Sequence, residues 1–558
     1  MAKKTFKFPV WPARKGVDQS SIPGTADPAS MRDCNNVIFT INGSRKMKWG
    51  IKPYYINGIA PDVTTNLRGI YDYWRTVGAT PAQRMVAFAN GRLFADQGTG
   101  YFTERTGANV IDWRDRVVWE TYVGILIACF EQSEPLTWNQ TGNFTTLVQL
   151  AWDLFAAFPG NPYYTPFDPA TYTIPRFSFC RIWKRRLWGV SPLFPHRLYF
   201  SAIDAPWDFV LAHGAGSIDI DTADSDPVGL TAIFPVNFGS TETPQMVVAK
   251  RRALYKVYEA GTSTYAGTLG EVVYGSSFGY NPFQMGIGCV EHNTAVATSN
   301  DIIWCSDRGI HSLAATDKFG DYEIGFLSFN WHKKYQNEVS FLNSKKMWAV
   351  YSPEENAYKL AYTERGKQYN DQMANYNLVL GEWTFWKNYE CRAMCQYVDK
   401  NYKPKTMVGR NMKMGTIEET FLTEFTVRST GMSFSTPIIC IGGRPDITVD
   451  FTKLWLFVRP QVSGTLNITY QVDGKPAIAT TADLSGGGGS IIGNFNIGAG
   501  TIGGTGEIKK IAVSLEGEGS MIQFYFSFTP QTDTEDCEIY GYAIEGEYAE
   551  DSDIPTTS

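Results

Sequence analysis

The densest run of chemistry-bearing residues is "DIDTADSD", which places Asp219, Asp221, Asp224 and Asp226 within one short stretch. Carboxylate oxygens gathered this closely suit a hard divalent cation such as calcium. The glycine and closing glutamate of an EF-hand loop are both missing, so a solvated turn is the first reading and calcium the second. "GSSFG" (Gly275 to Gly279) matches the pattern of a hydrolase nucleophile elbow. That motif needs a strand before it and a helix directly after it. Pro282, Gly286 and Gly288 oppose a helix, and a loop is expected there instead. The five histidines (His196, His213, His292, His311 and His332) are isolated, and none stands at metal-ligand spacing. These residues point to no catalytic centre, no resident metal and no cofactor, and a non-enzymatic role is expected.

Cationic residues form three groups. Arg181 stands near Lys184-Arg185-Arg186, a second group is Lys250-Arg251-Arg252, and a third comprises Arg45, Lys46 and Lys48. Apolar neighbours interrupt the first two, so in a strand some of these side chains must point to opposite faces. The chain carries a formal net charge of −6. That balance argues against a sequence-independent nucleic-acid binder, which needs a basic excess to meet phosphates. Arg185, Arg186, Arg251 and Arg252 are accordingly candidates for pairing with acidic residues of a neighbouring subunit, with contact to DNA as the second reading. Arg45, Lys46 and Lys48 are candidates for contact with an adjoining ring.

The elements that would carry these residues are mostly strands. In "RMVAFANGRLFADQG" (Arg84 to Gly98) two apolar runs flank Asn90-Gly91, the dipeptide that best supplies the two positive φ angles of a tight hairpin turn. Similar strand-turn-strand phrases recur as "ILIACFEQSEPLTWNQ", "MVVAKRRALYKVYEAG", "TAVATSNDIIWCSDRGIHSLAA", "MWAVYSPEENAYKLAY" and "AMCQYVDKNYKPKTMVGRNMKMGTIEE". Their spacing is that of four-stranded propeller blades. An all-β fold is expected: a β-propeller of six to eight blades over 66–428, with about seven units between Asn66 and Glu419. The alternative is a set of unrelated sheets that share hairpins. "TTLVQLAWDLFAAF" (Thr145 to Phe158) has helical spacing and ends at Pro159-Gly160, which predicts one short helical insertion on a blade edge.

After Ser429 the strands alternate cleanly, as in "ITVDFTKLWLFVRP" and "MIQFYFSFTP", and predict a β-sandwich over 429–548. Residues 1–65 are expected to form an N-terminal arm and hairpin, and 549–558 a loose acidic tail. The glycine-rich stretch 485–506 lacks the Lys-Ser/Thr of a phosphate cradle and is expected to be a hairpin tip or interface loop. Nine scattered cysteines read as reduced, mostly buried thiols. The start "MAKKTFKFPVWPARKG" has no apolar stretch behind its lysines, so neither a secretory signal nor membrane insertion is expected, and synthesis in a cytosol is. "CSDRGIHSL" (Cys305 to Leu313) is similar to the Asp-box of sialidase propellers, but it lacks the closing aromatic and is not repeated.

Three phrases resemble one family. "HRLYFSAIDAPWDF" (His196 to Phe209), followed by a short Asp-rich stretch and "MVVAKRRALYKVYEAG", is similar to tail-hub proteins of podoviruses, the nozzle or packaged-DNA stabilisation proteins. "LVLGEWTFWK" looks like the strand-turn-strand of their late blades, and "ASMRDCNNVIFTINGSRKMKWGIKPYY" (Ala29 to Tyr55) like their N-terminal segment. The resemblance implies a virion tail protein made in a bacterial host: a hexameric ring of propellers below the portal and its adaptor. It would retain the genome and conduct viral double-stranded DNA during ejection. Docking of tail fibres or spikes at the rim, and of a needle or plug below, is implied as well. A glycan- or receptor-binding tail module, or a propeller glycoside hydrolase with paired carboxylates in its funnel, is the alternative.

Overall fold

The computed structural model describes residues 4–549 apart from 56–66, 78–79, 97–100, 123, 158–173, 223–227, 237–244, 267–271, 299–300, 316–321, 412, 420, 425–426, 429–430, 442–444, 486–507 and 534. The glycine-rich stretch, Asp224, Asp226 and nearly all of the acidic tail therefore lie outside the described residues.

Seven sheets follow one another along the chain, antiparallel except for a parallel bridge between Glu424 and Ile51 in the seventh. Blade 1 comprises Leu67–Val77, Thr80–Ala89, Arg92–Asp96 and Phe102–Glu104. Blade 2 runs from Val117 to Thr146, blade 3 from Phe179 to Asp219 and blade 4 from Leu230 to Met285. Blade 5 runs from Val296 to Phe326 and blade 6 from Trp348 to Lys387. In blade 1 the turn residues Asn90 and Gly91 have φ of 50° and 74°, as the hairpin signal requires.

The first strand of each blade is innermost. Those of blades 7 and 1, 1 and 2, 2 and 3, 3 and 4, 5 and 6, and 6 and 7 pack side by side, and the turn His292–Thr294 packs on the first strand of blade 4, so the ring is closed. Close approach at the seams selects small residues. A Cβ on Gly69 would lie 2.1 Å from Val117 Cγ1, and one on Gly409 would lie 2.2 Å from Leu67 Cδ2.

Blade 7 is the exception that closes the circle. Its first three strands are Ala393–Val398, Pro404–Arg410 and Lys413–Glu418. The next strand in that sheet is Gly50–Tyr55, which precedes blade 1 in the chain and pairs antiparallel with Lys413–Glu418. The ring cannot open without stripping that strand away.

The second domain is a sandwich of two sheets. One holds Val449–Val458, Lys509–Ser514 and Glu538–Tyr548, and the other Met432–Ser435, Thr465–Val472, Ile478–Asp483 and Met521–Phe528. Both are completed from the N-terminus. Thr5–Val10 and the hairpin Val37–Phe39/Arg45–Met47 join the first sheet, and Asp33–Asn35 joins the second. The separate N-terminal arm expected for 1–65 is thus replaced by four sandwich strands and the closing strand of the propeller. The physical reason is edge satisfaction: strand edges left open by the C-terminal segments find their backbone partners here.

The same segment ties the domains together. Asn36 N–H donates to Phe385 O at 2.9 Å, Lys387 N–H to Asn35 Oδ1 at 2.7 Å, and Trp386 Nε1 to Val37 O at 3.2 Å. One apolar cluster is therefore shared, with Trp331, Trp383 and Phe385 on the propeller side and Phe434, Phe526 and Tyr542 on the sandwich side. The helical insertion is present at Leu147–Ala157; Leu147 and Ala151 are buried, and Leu147 joins Ile127, Phe177 and Cys180 at the seam of blades 2 and 3.

Candidate functional site at the propeller axis

The inner strands surround an axial cavity of about 470 Å³. Its wall takes Tyr71, Asp72 and Trp74 from blade 1, Trp119 from blade 2 and Arg181 from blade 3. Trp348 comes from blade 6 and Cys395 from blade 7. Alternation along an inner strand sends every second side chain inward, so adjacent blades contribute chemistry that is remote in sequence.

Asp72 is held by neutral donors: Gln83 Nε2 at 2.8 Å, Trp74 Nε1 at 3.1 Å and the Val398 N–H at 2.9 Å. Burial raises its pKa, and these hydrogen bonds oppose that only in part. Arg181 faces Glu120 at 3.3 Å, and burial raises the pKa of that carboxyl too. Burial lifts Tyr71 to about 12 and lifts the Cys395 thiol, leaving both uncharged near neutrality. The wall is thus largely apolar and aromatic, with one carboxylate and one paired guanidinium. Its volume is that of a small-ligand pocket. Asp72, Trp119 and Trp348 were not singled out in the sequence; their place on the first strand of each repeat unit was the signal available.

The basic groups lie elsewhere, and several differ from expectation. Arg45, Lys46 and Lys48 are 0%, 4% and 1% exposed, so they are not available as ring contacts in this fold. The Arg45 guanidinium lies 4.8 Å over Phe434 and donates to Lys15 O at 3.3 Å and to Ala29 O. Lys46 reaches Asp536 at 3.4 Å and Glu419 at 3.3 Å, bridging sandwich and propeller. Lys48 pairs with Glu424 beneath the Trp386 and Tyr389 rings. The hairpin that carries them is inserted between the domains, so its cations meet groups of their own chain, although Arg45 Nε and Nη1 are buried without an acceptor among the described residues.

Arg186 is also buried, donating to Ser201 O and Gly214 O at 2.7 Å each, and so it is not a subunit-interface residue. Lys184 and Arg185 occupy the preceding turn with φ of 47° and 61°. Arg185 is exposed and pairs with Asp204 of its own blade. In the second cluster Lys250 is buried against Asp221 O at 2.7 Å, Arg251 is half-buried, and exposed Arg252 meets Asp307 at 3.1 Å. The pairing partners of Arg185 and Arg252 are thus found within the subunit.

The acidic stretch is divided likewise. Asp219 accepts from Arg197 at 2.6 and 2.9 Å, which lowers its pKa, and Asp221 accepts from the Tyr255 hydroxyl at 2.8 Å. Among the described residues no group of three or more His, Cys, Asp or Glu side chains could hold a metal ion. Gly275–Gly279 lies inside the strand Val272–Met285, where a loop was expected, because Ala253–Ala266 pairs with it along its length.

No family model matches this sequence, and no curated protein matches it. Solved structures similar to the chain include the WD40 β-propeller domain of Doa1, at 8% identity over 66% of this chain and 98% of that one, with a TM-score of 0.36. The extracellular domain of a one-component system from B. thetaiotaomicron is 12% identical over 77% of this chain and 47% of that one, with a TM-score of 0.35. A catalytically inactive virginiamycin B lyase from Staphylococcus aureus, solved with quinupristin, is 9% identical over 67% of this chain and 98% of that one, with a TM-score of 0.32.

Proposed function

We propose that this propeller–sandwich chain is a structural virion protein, a podovirus-like tail nozzle that assembles head-to-tail into a ring and conducts DNA along the ring axis. The sequence phrases similar to tail-hub proteins support the reading, and the observation that carries it is an arm on blade 4. Strands Ala253–Ala266 and Val272–Met285 stay paired out to Ala266 and Val272, whereas the neighbouring strand Gln245–Lys250 accompanies them only as far as Val257. From Gly261 opposite Ser277 onward the ribbon extends for six residue pairs, roughly 20 Å. A two-stranded ribbon of that length is marginal alone, so it gains its stability from a surface it lies against. A neighbouring copy reached by such an arm gives a heterologous contact, which closes into a ring when its rotation suits.

The test is single-particle electron microscopy and native mass measurement of the full chain, alone and with a portal–adaptor complex, beside a variant in which 262–276 is replaced by a short Gly-Ser turn. A closed ring from the full chain and single propellers from the shortened one are expected. A full chain that remains single in both mixtures, or rings that form equally without the arm, overturns the reading.

A further inference from the structure

At one end of the inner strands, a cavity of about 330 Å³ is lined by Arg68, Arg116, Lys345, Lys346, Arg392 and the ring of Tyr369, among others. Arg68 is the second residue of the first strand of blade 1, Arg116 immediately precedes that of blade 2, and Arg392 immediately precedes that of blade 7. The lysines end the 3₁₀ turn Phe341–Lys346 that leads into blade 6. The fold thus gathers five cations from four connections onto one concavity, in a chain whose overall charge is negative.

Three carboxylates answer some of this charge from the periphery. Arg116 pairs with Glu291 and lies 3.8 Å from Glu131, Lys345 meets Glu131 at 2.5 Å, and Arg392 meets Glu390 at 2.6 Å. Arg68 and Lys346 form no ion pair among the described residues: Arg68 Nη1 donates to Arg114 O at 2.7 Å, with its guanidinium 5.7 Å over the Trp113 ring, and Lys346 Nζ donates to Gln368 O. The Arg68 Nε–H is buried and donates to no group among the described residues. A buried donor without an acceptor is costly and commonly marks a missing partner. Burial, and then the neighbouring cations, hold both groups below their ordinary pKa: Arg392 acts on Arg68, opposed in part by Asp112 and Asp115, and Arg68 and Arg392 act on Lys346.

We propose that this cavity is a binding site for a small multivalent phosphate compound. Its volume falls in the range of small-ligand pockets. Planar guanidinium forks recognise phosphate oxygens in pairs, and Lys346 supplies a point charge beside them. Arg392 lies 5.5 Å over the Tyr369 ring, which leaves that side suited to the rest of an organic phosphate. A nucleic acid duplex would instead need cations on an open surface.

The probe is inorganic pyrophosphate, titrated calorimetrically into the full chain, with Lys346→Gln, Arg68→Gln and, as a control, Arg252→Gln. Saturable one-to-one binding is expected, weakened tenfold or more by K346Q and R68Q, unchanged in R252Q, and falling with added salt. Lys346 is exposed, so its variant keeps the test valid should R68Q fold poorly. No saturable heat at millimolar pyrophosphate, or equal affinity in K346Q, overturns the site. A short DNA duplex that competes through the same residues overturns the small-ligand assignment in favour of a nucleic-acid surface.

Discussion

Ile51 stands in register opposite Ile417, so a strand that precedes the first blade closes the last. Ile51 is fully buried within the cluster that also holds Leu67, Met407 and Met414. Its burial therefore supports blade 1 and blade 7 together, and the residues before it supply strands to the sandwich.

Replacing Ile51 by Asp puts an unpaired charge into that core and removes a large apolar contact, each a cause of losses of several kcal/mol. Thermal unfolding followed by tryptophan fluorescence should show the variant largely unfolded, with blade and sandwich signals lost together. A variant that retains a wild-type transition would mean the closing strand is dispensable.

Glu424 holds two cations at once, Lys48 and Arg410, the latter at 2.8 Å. Glu424→Gln leaves both charges close to each other and to Lys359, and is expected to cost about 3 kcal/mol, the scale for breaking a buried pair. Lys48→Met keeps the Arg410 pair and fills the space over Trp386 and Tyr389, so it should be near neutral. Chemical denaturation of the two variants checks the order. Equal losses would show that the charges are not coupled.

Blade 5 carries two groups whose pH effects oppose each other. Burial raises Asp301 from 3.8 to about 6 and lowers His311 from 6.5 to about 4. Folded Asp301 holds its proton more tightly than unfolded, so its contribution is complete below about pH 3.8 and fades as pH rises through 6. Folded His311 binds its proton more weakly, so its contribution is complete above pH 6.5 and fades as pH falls through 4. His311→Phe preserves the stack with Trp304 and Phe326. Relative to wild type, its Tm should be better at pH 4.5 than at 7, whereas Asp301→Asn should be better at pH 7 than at 4.5. Slopes of the same sign in the two variants would refute this assignment.

Gly288 tests the join between blades 4 and 5. A Cβ there would stand 2.0 Å from Lys250 O, and Cys289 N–H already donates to that oxygen at 3.0 Å. The backbone cannot yield without breaking this bond, so Gly288→Ala is expected to lose about 2 kcal/mol by overpacking. Equilibrium denaturation gives the value, and a loss below experimental error would show that the seam relaxes.

Much of the fold was legible in the sequence because its signals are local. Asn90-Gly91 needs only its own φ angles, the helix Leu147–Ala157 only its apolar spacing, and the alternating strands after Ser429 only period two. Those features determined an all-β chain of propeller blades followed by a sandwich. Which strand completes blade 7, and which strands complete the sandwich, only the tertiary structure decided. Residues 5–55 pair with segments at the other end of the chain, and no local pattern names a distant partner. The cations followed the same rule. Charge type at Arg45, Lys46, Lys48 and Arg186 suggested surface contacts, but burial and pairing depend on what packs above them. Conversely, Arg68, Arg116, Lys345, Lys346 and Arg392 form no cluster in the sequence and become one only when the ring closes.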